Sequence, residues 1–313
     1  MLHTLLNIKY PIIQGAMANI ATAEFAAAVS NCGALGIIGT GAMDVEEARS
    51  AIHLCKSLTD KPFGVNVMMM NPQTAEIMEM ICEEKVCVVT TGAGNPGPYM
   101  EKLKASGTKV IPVVPSVALA IRMERSGADA LIVEGGEAGG HVGEQTTMAL
   151  TPQVCDAVNI PIIAAGGIAD GRGFNAAISL GAVGVQIGTC LLVADECPVH
   201  ENYKAAVLKA KDTDTVVTGR SAGTPVRILK NKMAREYVKI EQASKDREAM
   251  EKLTLGALRK AVFDGDMQYG SVMIGQIAGL CKEAKPLQEI LDTIMDDSKK
   301  QKEILMHKLE ACL

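Results

Sequence analysis

Eight short apolar segments recur along the first part of the chain, and helix-length stretches separate them. The apolar segments are Pro11–Met17, Ala34–Ile38, Phe63–Met68, Val86–Thr91, Lys109–Val114, Ala130–Val133, Pro161–Ala165 and Val183–Ile187. The separating stretches include Thr22–Asn31, Val45–Leu58, Thr74–Glu84 and Ser116–Ser126. Unbroken apolar strands joined by helices predict a parallel sheet that is covered on both faces. Eight such units favour an α/β fold of the (β/α)8 TIM-barrel type, with an open doubly wound sheet as the alternative.

The pattern changes after the eighth apolar segment. Charged helical patterns occur around 201–211 and 234–253, and the tail from Pro286 to Leu313 has the pattern of an amphipathic helix or a pair of helices. We therefore expect three regions: a barrel core over 1–194, a mostly helical appendage over 195–285 that covers the barrel mouth, and a C-terminal helix over 286–313 that packs on the barrel.

Composition argues against several classes of protein. An aromatic content of 3%, no Trp and a net charge of −5 disfavour a nucleic-acid partner. No apolar run approaches the roughly 18 residues that a membrane span needs, and the N-terminus lacks the pattern of a signal peptide. Nine cysteines without a C-x-x-C pair are typical of a reduced compartment. These features predict a cytoplasmic protein that does not enter the membrane.

Polar residues and glycines follow most of the predicted strands. In a (β/α)8 barrel the functional groups lie at the carboxyl ends of the strands, so these residues are the candidate site. They are Gly15, Ala16, Met17, Asn66, Thr91, Glu134, Gly166, Gly167, Gln186, Gly188 and Thr189. For Asn66 the alternative is that the amide caps its own turn.

The loop after the sixth strand, E-G-G-E-A-G-G-H-V-G-E at 134–144, has four glycines clustered just before His141. Glycines this dense allow a ligand to approach the backbone closely, and a histidine can exchange protons near neutral pH. We expect His141 to be catalytic rather than structural. A neighbouring carboxylate, from Glu134, Glu137 or Glu144, would raise the pKa of His141 and keep it a proton donor. No ligand-spaced histidine pair accompanies it, so no metal site is predicted.

Two further glycine-containing loops predict a phosphate site. A-A-G-G-I-A-D-G at 164–171 and V-Q-I-G-T at 185–189 follow the seventh and eighth strands. In a barrel, such loops, with a helix N-terminus behind them, offer backbone N–H groups to an anion. The chain has no G-K-[ST] motif beside them, which disfavours a nucleoside triphosphate. The two loops together offer one terminal phosphate site, which favours a mononucleotide over a dinucleotide.

Several motifs resemble a known superfamily of flavin-mononucleotide barrels, which contains the nitronate monooxygenases and the flavin-dependent enoyl-acyl-carrier-protein reductases. They are Q-G-A-M at 14–17, F-G-V-N-V-M at 63–68, T-T-G-A-G-N-P at 90–96, the 134–144 loop, A-A-G-G-I at 164–168 and Q-I-G-T at 186–189. Three others resemble the type II enoyl reductases of bacterial fatty-acid synthesis in particular: H-V-G-E-Q-T-T-M at 141–148, V-T-G-R-S-A-G-T-P-V-R at 217–227 and G-S-V-M-I-G-Q-I-A-G-L at 270–280.

The resemblance implies positions for a bound FMN. Its phosphate would lie on Gly166, Gly167, Gly188 and Thr189, and its ring against Gly15, Ala16, Met17 and Asn66. Glu134 and the loop residues Ala138, Gly139 and Gly140 would border the ring, with His141 beside its reactive face. From the appendage, Ser271, Gly275 and Gln276 could reach the site, or the small residues could only allow close helix packing.

The resemblance also implies an activity, namely reduction of the 2,3 double bond of an enoyl thioester on acyl carrier protein, with hydride passing from NADPH or NADH through FMN. We expect a homodimer, and whether a monovalent cation is needed stays open. The alternatives are a nitronate monooxygenase, in which His141 acts as a base, and a flavin-binding barrel without turnover.

Three features bear on these expectations. Cys190 stands where the family commonly has Arg after G-T, and Thr224 stands where it commonly has His before Pro. The basic run from Arg220 to Lys239 could dock the acidic carrier protein, or it could be a solvated helix face.

Overall fold

The computed structural model describes residues 1–312, and all eight predicted strands are present within it. The predicted and observed ends of each strand differ by no more than three residues. The strands are β1 (Ile12–Gln14), β2 (Gly36–Gly39), β3 (Phe63–Met68), β4 (Val88–Gly92), β5 (Lys109–Val114), β6 (Leu131–Glu134), β7 (Gly140–His141), β8 (Ile162–Ala165), β9 (Gly184–Ile187), β10 (Thr215–Thr218) and β11 (Val226–Leu229).

Helices separate the strands as predicted. They are α1 (Leu2–Leu6), α2 (Ala23–Asn31), α3 (Val45–Leu58), α4 (Thr74–Glu83), α5 (Met100–Ala105), α6 (Val117–Arg125), α7 (Thr147–Ala157), α8 (Gly171–Ser179), α9 (Glu201–Lys209), α10 (Lys232–Ala243), α11 (Arg247–Thr254), α12 (Ala257–Val262) and α13 (Leu287–Cys312). Short 3₁₀ helices cover Gly97–Tyr99, Thr189–Val193 and Gln276–Leu280.

Eight of the strands form one parallel sheet in the order β1-β9-β8-β6-β5-β4-β3-β2. The sheet closes where Ile13 of β1 bridges Leu35, just before β2. The Leu35 N–H donates to the Ile12 carbonyl and the Gln14 N–H to the Leu35 carbonyl, each at 2.9 Å. The structure thus confirms the (β/α)8 TIM barrel and excludes the open sheet.

The helices cover the barrel because their local sequences favour a buried stripe and capped ends. In α3, Ala48, Ile52 and Cys55 are buried at the spacing of one helix face. Asp44 and Glu47 form a capping box at its start, which satisfies backbone N–H groups that have no partner inside the helix.

The segment between the barrel and α13 contains helices α9 to α12 and a β-hairpin formed by β10 and β11. Strand β11 also pairs with β7 of the glycine loop, which gives a small antiparallel sheet in the order β10-β11-β7. This sheet was not predicted from the sequence. Strand β7 has only two residues, too few to show an alternating pattern in the sequence. The region boundaries proposed at 194 and 285 remain predictions.

The tail forms one continuous helix, α13, rather than two, and it packs against α8. The Asn175 side-chain amide donates to the Ser298 carbonyl at 2.9 Å, and Gly171 leaves no room for a Cβ beside the Ser298 backbone. The predicted tail ended at Leu313, which lies outside the described residues. Among the described helices, none is both long and apolar enough to cross a membrane.

Candidate functional site

Several polar residues at the carboxyl ends of the strands face the barrel axis. Side chains alternate along a strand, and the apolar residues of the barrel interior, such as Val88 and Ile132, set which face points inward. On β9 the neighbours of Gln186 pack on the helix side, so its own side chain points inward. The same alternation directs three other polar side chains inward, and the four form a polar layer across the mouth of the barrel. The three are Asn66, Thr90 and Glu134.

Within this layer, Asn66 is held by its neighbour on β4. The Asn66 side-chain amide donates to Thr90 Oγ1 at 2.9 Å. Thr91, the threonine chosen from the sequence, has its side chain on the same face as Val89, which packs against the helices. Its hydroxyl is buried and has no partner among the described residues. The inward residue Thr90 was missed, although counting alternate positions from Val88 identifies it.

The residues after β1 lie against those after β9. The Gly15 N–H donates to the Ile187 carbonyl at 2.7 Å, and a Cβ built on Gly15 would lie 3.7 Å from the Gly188 Cα. Met17 reaches the same place, with its Sδ 3.5 Å from a Cβ built on Gly188. Ala16 packs partly against the barrel interior. The structure therefore brings together the predicted residues of two loops that are far apart in the sequence.

The glycine loop contacts the appendage closely. A Cβ on Gly139 would lie 2.6 Å from the Ile274 carbonyl carbon, and one on Gly140 would lie 3.6 Å from Met273 Sδ. Gly140 also has a φ of +81°, which favours glycine. The glycines at these two positions thus allow the loop and the appendage to pack closely together on one side of the site. Met273 was not among the residues predicted to bind the cofactor.

His141 lies in β7, where it pairs with Val226 of the hairpin. Its side chain is accessible to solvent on one side, but the surrounding protein removes water from the rest of the ring and lowers the pKa of His141 below its usual value. The expectation of a raised pKa was therefore wrong. Two of the carboxylates proposed to raise it are engaged elsewhere: Glu137 binds Thr147, and Glu144 pairs with Arg220.

Glu134 is the titratable group of the inner polar layer. Its carboxyl makes no hydrogen bond to any described part of the chain, and burial raises its pKa to about 7. The ionised form is disfavoured because no nearby cation or donor replaces the water that the carboxylate loses. Near neutral pH this group exists in both protonation states.

The predicted phosphate loops present unpaired donors. Within residues 1–312, the backbone N–H groups of Gly166, Gly167, Ile168 and Gly188 donate to no protein acceptor. Gly166 and Gly167 have φ values of +89° and +75°, so the turn depends on glycine. Free backbone N–H groups on the loops after two neighbouring strands suit an anion.

Two backbone N–H groups at the start of the helix behind the first loop are engaged within the protein. At the N-terminus of α8, the Asp170 carboxylate accepts hydrogen bonds from the Arg172 and Gly173 N–H groups. These donors are already satisfied, so the free donors come from the loops themselves. Cys190, where the family commonly has Arg, is buried, and burial raises the pKa of its thiol. It supplies no positive charge.

The appendage reaches the site through its backbone. The Gln276 N–H donates to the Glu137 carbonyl at 2.9 Å, and the Gly275 N–H donates to Thr189 Oγ1 at 2.9 Å. Ser271 is buried, and its N–H donates to a carbonyl at the start of α12. Over the described part of the chain, no cluster of His, Cys, Asp or Glu has the arrangement of a metal site.

The family model for nitronate monooxygenases matches residues 1–297. The chain belongs to the nitronate monooxygenase family. It is 34% identical to a probable nitronate monooxygenase of Staphylococcus saprophyticus, over 87% of this chain and 90% of the relative. It is 32% identical to an octahydroindene carboxyl-CoA dehydrogenase of Rhodococcus jostii, over 95% of each chain.

Two solved structures extend this family assignment. FabK from Thermotoga maritima is 48% identical over 98% of each chain, with a TM-score of 0.95. A nitroalkane oxidase from Streptomyces ansochromogenes is 27% identical over 97% of this chain and 100% of that chain, with a TM-score of 0.85. These findings confirm the resemblance seen in the motifs, and this family consists of flavin-dependent oxidoreductases.

Proposed function

We propose that the protein is an FMN-dependent enoyl-acyl-carrier-protein reductase that uses NADPH or NADH. The observation that carries the proposal is the position of the segments that resemble type II reductases. Hairpin β10–β11 pairs with the strand of His141, and Met273 and Ile274 contact the glycine loop. The 48% identity to FabK, a type II enoyl reductase, supports the same activity.

The residues at the mouth fit a flavin mononucleotide. The unpaired N–H groups of Gly166, Gly167 and Gly188 would hold one terminal phosphate, while Asn66 and Gln186 could hydrogen-bond a ring edge. Bound there, FMN would supply the hydride chemistry between the nicotinamide and the enoyl thioester. The protein would supply binding, orientation and exclusion of water.

We assign His141 the role of a neutral hydrogen-bond donor. Because partial burial lowers its pKa, the imidazole is uncharged near neutral pH. A neutral imidazole can still donate its N–H to the thioester oxygen, where negative charge develops during reduction. This role replaces the charged proton donor expected from the sequence.

We also propose acyl carrier protein as the macromolecular partner, although only part of the basic run from Arg220 to Lys239 is available to bind it. Arg220 pairs with Glu144, and the Arg227 guanidinium donates to the Gly136 carbonyl. The remaining basic side chains on α10 line a surface recess of about 360 Å³ together with Glu236. They are Lys232, Arg235 and Lys239. This basic face is complementary to an acidic carrier protein.

A second candidate is oxidation of alkyl nitronates. The lowered pKa of His141 favours it, because a general base must be unprotonated at the working pH. The names of the curated nitronate monooxygenase relatives point the same way. This reaction uses oxygen and needs no reduced nicotinamide.

The deciding experiment follows the visible absorbance of the purified protein under anaerobic conditions. We expect NADH or NADPH to bleach it and a crotonyl thioester to restore it. A nitronate added anaerobically, in the absence of nicotinamide, is the control for the second candidate. Bleaching by the nitronate but not by either nicotinamide would support the monooxygenase, and a protein bleached by none of them would support a non-catalytic flavin-binding barrel.

A further inference from the structure

A buried hydrogen-bonded bridge joins the glycine loop to the first phosphate loop. Thr147, at the start of α7, donates its backbone N–H to the Glu137 carboxylate, at 2.8 Å from Oε2 and 3.0 Å from Oε1. The Thr147 hydroxyl lies 3.1 Å from the same carboxylate, 2.9 Å from the Gly166 carbonyl and 3.1 Å from the Ala165 carbonyl. Thr147 was not a predicted site residue, and Glu137 was considered only as a possible partner of His141.

The bridge fixes the direction of two backbone donors. In a trans peptide the C=O and the N–H of the next residue point in opposite directions, and the described chain has no cis peptide bonds. The Ala165 and Gly166 carbonyls point toward Thr147. The N–H groups of Gly166 and Gly167 therefore point away from α7, and both lack an acceptor among the residues that the structure describes.

The surrounding glycines show how closely the bridge is packed. A Cβ on Gly135 would lie 2.1 Å from the Thr147 hydroxyl oxygen and 2.6 Å from Glu137 Oε2. Thr147 itself is 6% exposed. A hydroxyl has one proton, so it donates to one of these acceptors at a time, and the shortest contact is to Gly166.

We propose that Thr147 is a positioning residue for the anionic end of the cofactor, with Glu137 holding Thr147 in place. Thr147 orients the peptides of the phosphate loop, so that the Gly166 and Gly167 N–H groups are aimed at the phosphate before it arrives. This inference rests on the proposed FMN site. It predicts selective loss of affinity for the phosphate when the Thr147 hydroxyl is removed.

The test compares the binding of FMN with that of riboflavin, which lacks the phosphate. Thr147→Val keeps the shape of the side chain and removes the hydroxyl, and we expect it to weaken FMN binding roughly tenfold. Its riboflavin affinity should stay within about twofold of wild type, because the ring contacts are unchanged. Titration of the flavin-free protein, followed by flavin fluorescence, gives both dissociation constants.

Two controls accompany the test. Thr147→Ser keeps the hydroxyl and should retain the preference for FMN. Thr146→Val is the matched control, since Thr146 is the adjacent threonine at the same helix end and its side chain makes no capping hydrogen bond. Thr147→Ala, which cannot overpack the buried position, provides a second measurement if the valine variant does not fold.

Equal weakening of FMN and riboflavin, or an unchanged ratio between them, would overturn the positioning role. Failure of the wild-type protein to bind FMN at all would instead contradict the proposed function. The two failures are distinguishable because the first appears only in the variants.

Discussion

At the scale of single residues, the environment of His141 decides which protonation state is available. Partial burial lowers its pKa, so the imidazole is predominantly neutral at pH 6.5 and above. We predict that the pH profile of kcat between about pH 7 and 8 has the same shape in wild type and in His141→Ala, and that the variant lowers kcat roughly a hundredfold while FMN is retained. Steady-state rates across this range test both statements.

The control for this prediction is His53→Ala, which removes an exposed histidine on α3 and should leave kcat unchanged. A fall in kcat as the pH rises through about 7, present in wild type and absent in the His141 variant, would show that the charged imidazolium is needed. That result would contradict the neutral-donor role.

Glu134 gives a second prediction at this scale, which concerns stability. Its pKa in the folded protein is about 7, above the ordinary carboxyl value of 4.5. The folded state therefore holds its proton more tightly than the unfolded state, and the stability linked to this proton is lost as the pH rises from about 4.5 through 7. In Glu134→Gln this dependence should be absent. The free energy of unfolding of the variant, relative to that of wild type, should therefore be roughly 2–3 kcal/mol higher at about pH 8 than at about pH 4.5.

Chemical unfolding of both proteins at the two pH values measures this difference. Glu144→Gln is the matched control, because Glu144 is an exposed glutamate of the same loop. A difference between wild type and Glu134→Gln that does not change with pH would show that the carboxyl of Glu134 is well solvated in the folded protein.

At the scale of elements, one half-buried side chain adds to the strand pairing that joins the hairpin β10–β11 to the glycine loop. Arg227 Nε donates to the Gly136 carbonyl at 2.9 Å, and its Nη1 donates to Thr215 Oγ1 at 3.0 Å. We predict that Arg227→Met lowers kcat/KM roughly tenfold. The variant leaves the Gly136 carbonyl without its donor, which weakens the contact between the hairpin and the loop that contains His141. Steady-state kinetics with a crotonyl thioester measures the change.

Arg220→Met provides the contrast. Arg220 pairs with Glu144 where the two side chains are 45% and 77% exposed, and such pairs contribute little. We expect less than about a twofold change in kcat/KM. An Arg220 effect as large as that of Arg227 would show that the exposed pair, and not the half-buried guanidinium, holds the hairpin against the loop.

At the scale of the whole molecule, a negatively charged protein presents a local basic face on α10. We predict that the double variant Arg235→Glu and Lys239→Glu raises KM for carrier-bound substrate several-fold, and more at low salt, because charges at the rim of an interface act mainly through association. Turnover of small crotonyl thioesters should not change. The expected homodimer also remains a prediction at this scale.

A matched charge reversal on another surface tests whether the effect is local. Lys302→Glu and Lys308→Glu alter two exposed lysines of α13 and change the net charge by the same amount. Equal effects of the two double variants would indicate a general charge effect. Equal effects on the KM for carrier-bound and for small substrates would show that α10 does not dock the carrier protein.

The sequence alone determined the barrel and most of its strand ends. Apolar runs, helix caps and glycine-ended turns are local signals, so β3 and β5 form over the residues predicted and His141 lies in the loop expected to form a site. The Gly166–Gly167 and Gly188 loops lie side by side because β8 and β9 are neighbours in the sheet, as expected for consecutive strands of a barrel.

Only the tertiary structure decided what each of these residues contacts. The pairing of His141 with Val226 and the bond from Arg227 to Gly136 join segments that are distant in the sequence. The direction of the His141 pKa shift depends on how much water the surrounding segments remove, and no local pattern encodes that. The bridge from Glu137 to Thr147 was missed for the same reason: its acceptor carbonyls belong to β8 and to the loop that follows it, which only the folded barrel brings within hydrogen-bond distance.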